Sequence, residues 1–196
     1  MKMLRYLDVQ NILDKNDLIL QESGCVGSEN ERGNTYMKKI GIVTDSHSSI
    51  SQEEAEKLGI FVLPMPFYID GKCFYESVTL SRELFFEKLA AGADITTSQP
   101  SPTAVMEIWD KALEQFEKIL YLPISSGLSG SYETAMMLAK DEAYEGRVLV
   151  VDDGQVAAPL HQMVLDTLDM IKKGYEAEQI RDLLERAGDR MMIYIC

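Results

Sequence analysis

From residue 39 onward, short β-rich apolar runs alternate with longer stretches whose apolar residues recur at helical spacing. Residues 40–44 read as a first strand. Ser51 and Glu54 have the spacing of a capping box, which predicts a helix over 52–58 stopped by Gly59. Residues 60–69 are β-rich but interrupted by Pro64 and Pro66, the pattern of an edge or irregular strand, and Asp70-Gly71 reads as a turn. Ser81 caps a helix expected to turn Leu84, Phe85, Leu89 and Ala90 inward. Ser101 before Pro102 marks the next helix start, and Val105, Ile108, Trp109, Ala112, Leu113 and Phe116 give that helix one apolar stripe. A strand follows at 119–124, a helix at 131–143 ending at Gly146, and a buried strand at 148–151. Two helices over 156–172 and 177–187, joined around Gly174, precede a β-rich run at 191–196. Such alternation with short connections predicts an α/β fold, a mostly parallel sheet flanked by helices.

Residues 1–36 depart from this pattern. Leu4, Leu7, Ile12, Leu13 and Leu18 suit a short amphipathic helix, but 22–35 is polar, holds three glycines and reads as a linker. The segment is expected to be an extension without its own core. At the other end the chain stops inside a β-rich run, the mark of an incomplete chain.

Charge narrows the partners. A net charge of −13, with no dense block of Lys and Arg, argues against nucleic acid and against adhesion to an anionic membrane. The apolar runs are strand-sized, so no integral membrane segment is expected, and no apolar stretch of a signal peptide follows Lys2 and Arg5. Cys25, Cys73 and Cys196 are odd in number and lack a C-x-x-C pair, which favours a reducing, cytoplasmic setting.

Candidate chemistry concentrates where helices begin, at the carboxyl edge of such a sheet. Three segments there, 44–49, 96–101 and 125–131, are rich in Ser and Thr. Rotatable hydroxyls beside free backbone N–H groups suit a carboxylate or phosphate. Ser51, Ser81 and Ser101 are assigned to capping, but Ser125, Ser126, Ser129 and Ser131 together exceed what one cap needs. The P-loop pattern and the G-x-S-x-G nucleophile elbow are both missing, and His47 and His161 have no partners at metal-ligand spacing. No cofactor, metal or catalytic residue is assigned. Asp45, Asp152 and Asp153 at strand ends are read as loop-holding acceptors for backbone N–H groups.

The segments Ile42-Val43-Thr44-Asp45-Ser46, Thr97-Ser98-Gln99-Pro100-Ser101 and Ile124-Ser125-Ser126-Gly127-Leu128-Ser129-Gly130-Ser131-Tyr132 resemble the DegV family. The resemblance runs over about residues 38–196. It implies a non-catalytic protein that binds a long-chain fatty acid by its carboxylate, for phosphorylation or transport in bacterial lipid metabolism. The implied partner is the separate ATP-using subunit of a fatty acid kinase. Residue by residue, Thr97 and Ser129 match the family's carboxylate-binding hydroxyls. Ser98 and Ser126 come next, then Ser46, with His47 a neighbour within reach. The implied domains are a ligand-binding α/β domain over 37–155 and, over 156–196, connecting helices with the beginning of an incomplete second domain. Asp153 stands where the family usually has Ser or Thr, an expected negative charge near the anion site. A truncated remnant that binds nothing, or a serine-dependent acyl hydrolase using Ser129 or Ser126 with His47, are the alternatives.

Overall fold

The computed structural model describes residues 38–75 and 78–188. The expected extension over 1–36 and the β-rich run at 191–196 lie outside the described residues. Two sheets make up the fold. The larger is wholly parallel, with strands β1 (Lys38–Asp45), β2 (Phe61–Leu63), β6 (Phe116–Leu122) and β7 (Val148–Val150) in the order β2-β1-β6-β7. Its strands carry continuous apolar runs, at 42–43, 61–63, 119–122 and 148–150, because helices cover both faces. Val43, Ile119 and Tyr121 share one core with Val105, Trp109 and Ala112 of helix α3 (Pro102–Leu113). Ile42 and Leu120 occupy the alternate positions and are fully buried on the other face. Helices α5 (Ala157–Lys172) and α6 (Ala177–Gly188) pack there, burying Leu160, Met163, Val164, Ile180 and Leu184.

The second sheet was not expected. Strands β3 (Pro66–Ile69), β4 (Lys72–Tyr75) and β5 (Ile95–Thr97) pair antiparallel in the order β4-β3-β5. The β-rich run at 60–69 is therefore two strands of two sheets, separated at Pro64, with Pro66 at the first position of β3 where a missing N–H is tolerated. Asp70 and Gly71 both have positive φ, 50° and 76°, as a two-residue hairpin turn that matches the twist of its strands requires. The turn was legible in the sequence, whereas the short exposed strand after it, Lys-Cys-Phe-Tyr, carries little apolar signal.

The caps formed as expected. Ser51, Ser81 and Ser101 each accept an N–H three residues on, opening α1 (Gln52–Leu58), α2 (Arg82–Ala90) and α3, and Gly59 ends α1 at φ 70°. Three expectations are corrected. Phe116 does not extend the stripe of α3. That helix stops at Leu113, and Phe116 opens β6 after the turn at Glu114 and Gln115. Helix α4 (Ser131–Leu138) ends short of 143, because the Asp141 carboxylate accepts the Ala143 N–H and starts a new turn. In α2 the expected inward face fails. Leu84 and Leu89 are exposed, as is Ala90, and Phe85 alone is half-buried, its ring edge-on to Phe67 at 5.6 Å. A sheet of three short strands is too narrow to cover a second row of that helix.

Gly41 lets the central pair of strands close. A Cβ there would lie 2.6 Å from the ring of buried Phe116, well inside contact distance. Gly41→Ala should lower stability by about 1–3 kcal/mol through overpacking. Urea unfolding of the double variant Gly41→Ala/Phe116→Leu should show the two losses to be less than additive, since Leu relieves the contact.

Candidate functional site

At the carboxyl edge of the parallel sheet, β1 runs into a single 3-10 turn, Ser46–Ser48, and β6 runs into the serine loop at 125–130. One buried side chain joins them. Asp45 is fully buried, and its carboxylate accepts the His47 N–H at 2.9 Å through Oδ1 and the Ile124 N–H at 2.8 Å through Oδ2. His47 Nδ1 lies 3.2 Å from the same Oδ1. The expectation that Asp45 holds loops is thus met. Asp152 does the same for Ser126 and Gly154, and Asp153 for Gln155.

Beside this junction lies a cavity of about 830 Å³, within the span of roughly 300–1,000 Å³ usual for small-molecule sites. Ser46, His47, Thr97, Ser98 and Ser129 all line it, although they come from three separate segments and both sheets. Ser46 Oγ accepts the Met65 N–H at 3.1 Å, which ties the β1 turn to the entry of β3. Ser98 donates to the Gln99 carbonyl, and Ser129 Oγ receives the Ser131 N–H and hydroxyl at 3.2 and 2.9 Å. Thr97 Oγ1 makes no hydrogen bond among the described residues, so its hydroxyl is free for a ligand. The lining also carries apolar side chains, among them Met65, Phe67, Leu80, Phe85, Ile95 and Leu128. A cavity lined by both hydroxyls and apolar side chains can accommodate an amphiphile. His47 is the one titratable side chain among its described lining residues.

Ser126 does not join this group. The loop turns back on itself, with Leu128 N–H and Ser129 N–H both donating to the Ser125 carbonyl. That turn places the Ser126 backbone against Asp152, and the residue does not line the cavity.

Residues 39–196 match the sequence model of a family described as uncharacterised proteins of the DegV family. The chain belongs to the DegV family. A DegV domain-containing protein of Caldanaerobacter subterraneus subsp. tengcongensis is 34% identical over 144 residues, which covers 74% of this chain and 51% of the relative. One from Deinococcus radiodurans is 36% identical over 148 residues, covering 75% and 52%. Among solved structures, a fatty-acid-binding DegV family protein from Thermus thermophilus superposes with a TM-score of 0.70 at 32% identity, over 77% of this chain and 54% of that one. DegV of Bacillus subtilis, described as a fatty acid binding protein, gives 0.69 at 23% identity over 79% and 55%, a likeness of fold. The chain spans about half the length of the curated relatives it matches.

Sequence reasoning missed most of the apolar wall, because Phe67, Ile95 and Phe85 belong to the unforeseen second sheet and the helix on it. Gln99, in the same segment as Thr97 and Ser98, also lines the cavity, and its Oε1 would stand 3.3 Å from a Cβ at Gly130. Asp153 does not line the cavity, and it is not the negative charge expected near an anion site. It is fully buried behind the loops, and loss of solvent raises its carboxyl to about 7, with Asp152 and Asp45 adding to the rise. Its Oδ2 has no hydrogen-bond partner among the described residues.

A carboxyl raised from its ordinary value of 3.8 to about 7 binds its proton more tightly in the folded chain than in the unfolded one. Its stabilising contribution is therefore whole below about pH 4 and is lost as pH rises to about 7. Asp153→Asn removes that loss while Asn Oδ1 still accepts the Gln155 N–H. Urea unfolding should find the variant and parent similar at pH 3.5, and the variant more stable at pH 8, on the order of 2–4 kcal/mol.

Proposed function

We propose that this chain binds a long-chain fatty acid in the 830 Å³ cavity, with the carboxylate at the hydroxyl end and the acyl chain along the apolar wall. The observation that carries this reading is the convergence of Thr97, Ser98, Ser129 and Ser46, from three separate segments, on one cavity that also carries a large apolar lining. Each buried methylene contributes about 0.8 kcal/mol. An unpaired buried carboxylate costs several kcal/mol, so a ring of donors is what decides whether an acid can enter. In this reading the neutral hydroxyls of the lining supply those donors. The fatty acid bound by the Thermus thermophilus relative supports the same ligand class here.

In this reading the protein is a carrier without catalysis of its own. It presents the acid for phosphorylation by an ATP-using fatty acid kinase subunit, or for transport, in the bacterial cytoplasm. The hydrolase alternative finds less support. Among the described residues the hydrogen bonds of Ser129 Oγ run to Ser131 and not to an imidazole, and Ser126 lies outside the cavity.

Denaturing mass spectrometry of the purified chain should release a long-chain acid, and added oleate should raise its melting temperature. Finding neither would overturn the reading. Thr97→Val and Ser129→Ala should each weaken oleate binding by about tenfold or more, the cost of one lost hydrogen bond to a charged group.

A further inference from the structure

His47 occupies a singular place in the cavity. Thr97, Ser98, Ser129 and Gln99 are neutral, and no other described lining residue can gain or lose a proton near neutrality. A histidine changes charge between about pH 5 and 8. The ring is held from behind. Its Nδ1 faces Asp45 Oδ1 at 3.2 Å, and Asp45 has no solvent exposure and already receives two backbone N–H groups. An acceptor-only carboxylate in that place keeps the proton on Nδ1, so Nε2 is the nitrogen left for a ligand. The His47 side chain is 36% exposed, open enough to be reached from the cavity.

The other charged groups around the turn are engaged elsewhere. Helix α5 packs on residues 46–48, but its His161 is paired with Glu54 of α1 at 3.3 Å and its Asp166 accepts from Gln162. The segment after β6 reaches the site at Ile124 without a charge, and Asp153 is buried outside the cavity. Among the described lining residues no other charged side chain competes with an acid for the imidazole.

A neutral imidazole with its proton on Nδ1 offers Nε2 only as an acceptor, and two acceptors facing each other repel. A carboxylate and this ring become partners when one proton lies between them. We propose that His47, held by Asp45, is the proton-carrying partner of the ligand's acid group, so that this cavity takes up a carboxylic acid together with one proton. The balance is one carboxylate, one neutral imidazole and one proton from solvent, giving a carboxylate hydrogen-bonded to imidazolium. The residue would set selectivity as well. An acid draws in a proton, whereas the matching alcohol donates directly to neutral Nε2 and needs none.

This inference rests on the fatty-acid reading, and calorimetry of the full chain separates the two. Laurate below its micelle threshold is titrated at pH 7.5 in buffers of differing ionisation enthalpy. Net proton uptake should accompany laurate binding. Affinity should fall at least tenfold from pH 6 to pH 8.5, and dodecanol should bind without proton uptake. His47→Gln, which keeps a hydrogen-bonding side chain at a partly exposed position, should bind laurate with no proton uptake and a flat pH profile. Laurate binding without proton uptake in the parent, or uptake that persists in His47→Gln, overturns the role of His47 and leaves the carrier reading standing. No binding of laurate or oleate at any pH overturns both.

Discussion

The candidate site depends on the carboxylate of Asp45. It stands at the end of the first strand, out of reach of solvent, and its two oxygens accept N–H groups from two different strand exits. Burying a carboxylate costs several kcal/mol unless its lone pairs are used. The cost is met only when residues 46–47 and residue 124 are in place together, so the fold cannot form the edge of its sheet without also forming the loops. Ser48 reinforces the same corner by donating to the Asp45 carbonyl at 2.7 Å. Loops fixed in this way need little further ordering when a ligand arrives, which favours affinity.

The second sheet supplies what that edge lacks. Parallel strands end in loops, which offer donors but little apolar surface to lay a hydrocarbon against. The antiparallel strands bring Phe67 and Ile95 to the cavity, and Phe85 rests edge-on against Phe67 from the helix above. Thr97 lies in β5, paired with Phe67, so that a hydroxyl and an aromatic ring of the lining stand on neighbouring strands.

Much of this could be read from the sequence, and the rest could not for physical reasons. The parallel strands were legible because burial on both faces leaves continuous apolar runs, as in Ile42-Val43 and Leu120 to Leu122. The caps at Ser51, Ser81 and Ser101 were legible because a cap is a local bond. Strands β4 and β5 were not, since three or four mostly exposed residues carry no clear period and their pairing is set by other segments. Leu84 and Leu89 misled because helical spacing marks an apolar face and cannot tell whether a neighbour is wide enough to cover it. Among the site residues, Thr97, Ser98, Ser129 and Ser46 come together at the cavity, whereas Ser126 was lost to a turn that only the backbone of its own loop reveals. The sequence likewise could not show that Asp153 is buried away from the anion end, because burial belongs to the fold and not to the residue type.

The division of the cavity between two sheets has an evolutionary consequence. Ser46 and His47 follow Asp45 on the parallel core, whereas Thr97 and Ser98 stand at the end of β5 on the antiparallel sheet. A change along 44–48 disturbs the buried carboxylate that joins two strand exits. The antiparallel strands carry hydroxyl and apolar lining side by side, so one substitution there can alter either. Diversity among descendants of such a scaffold should be scarce along 44–48.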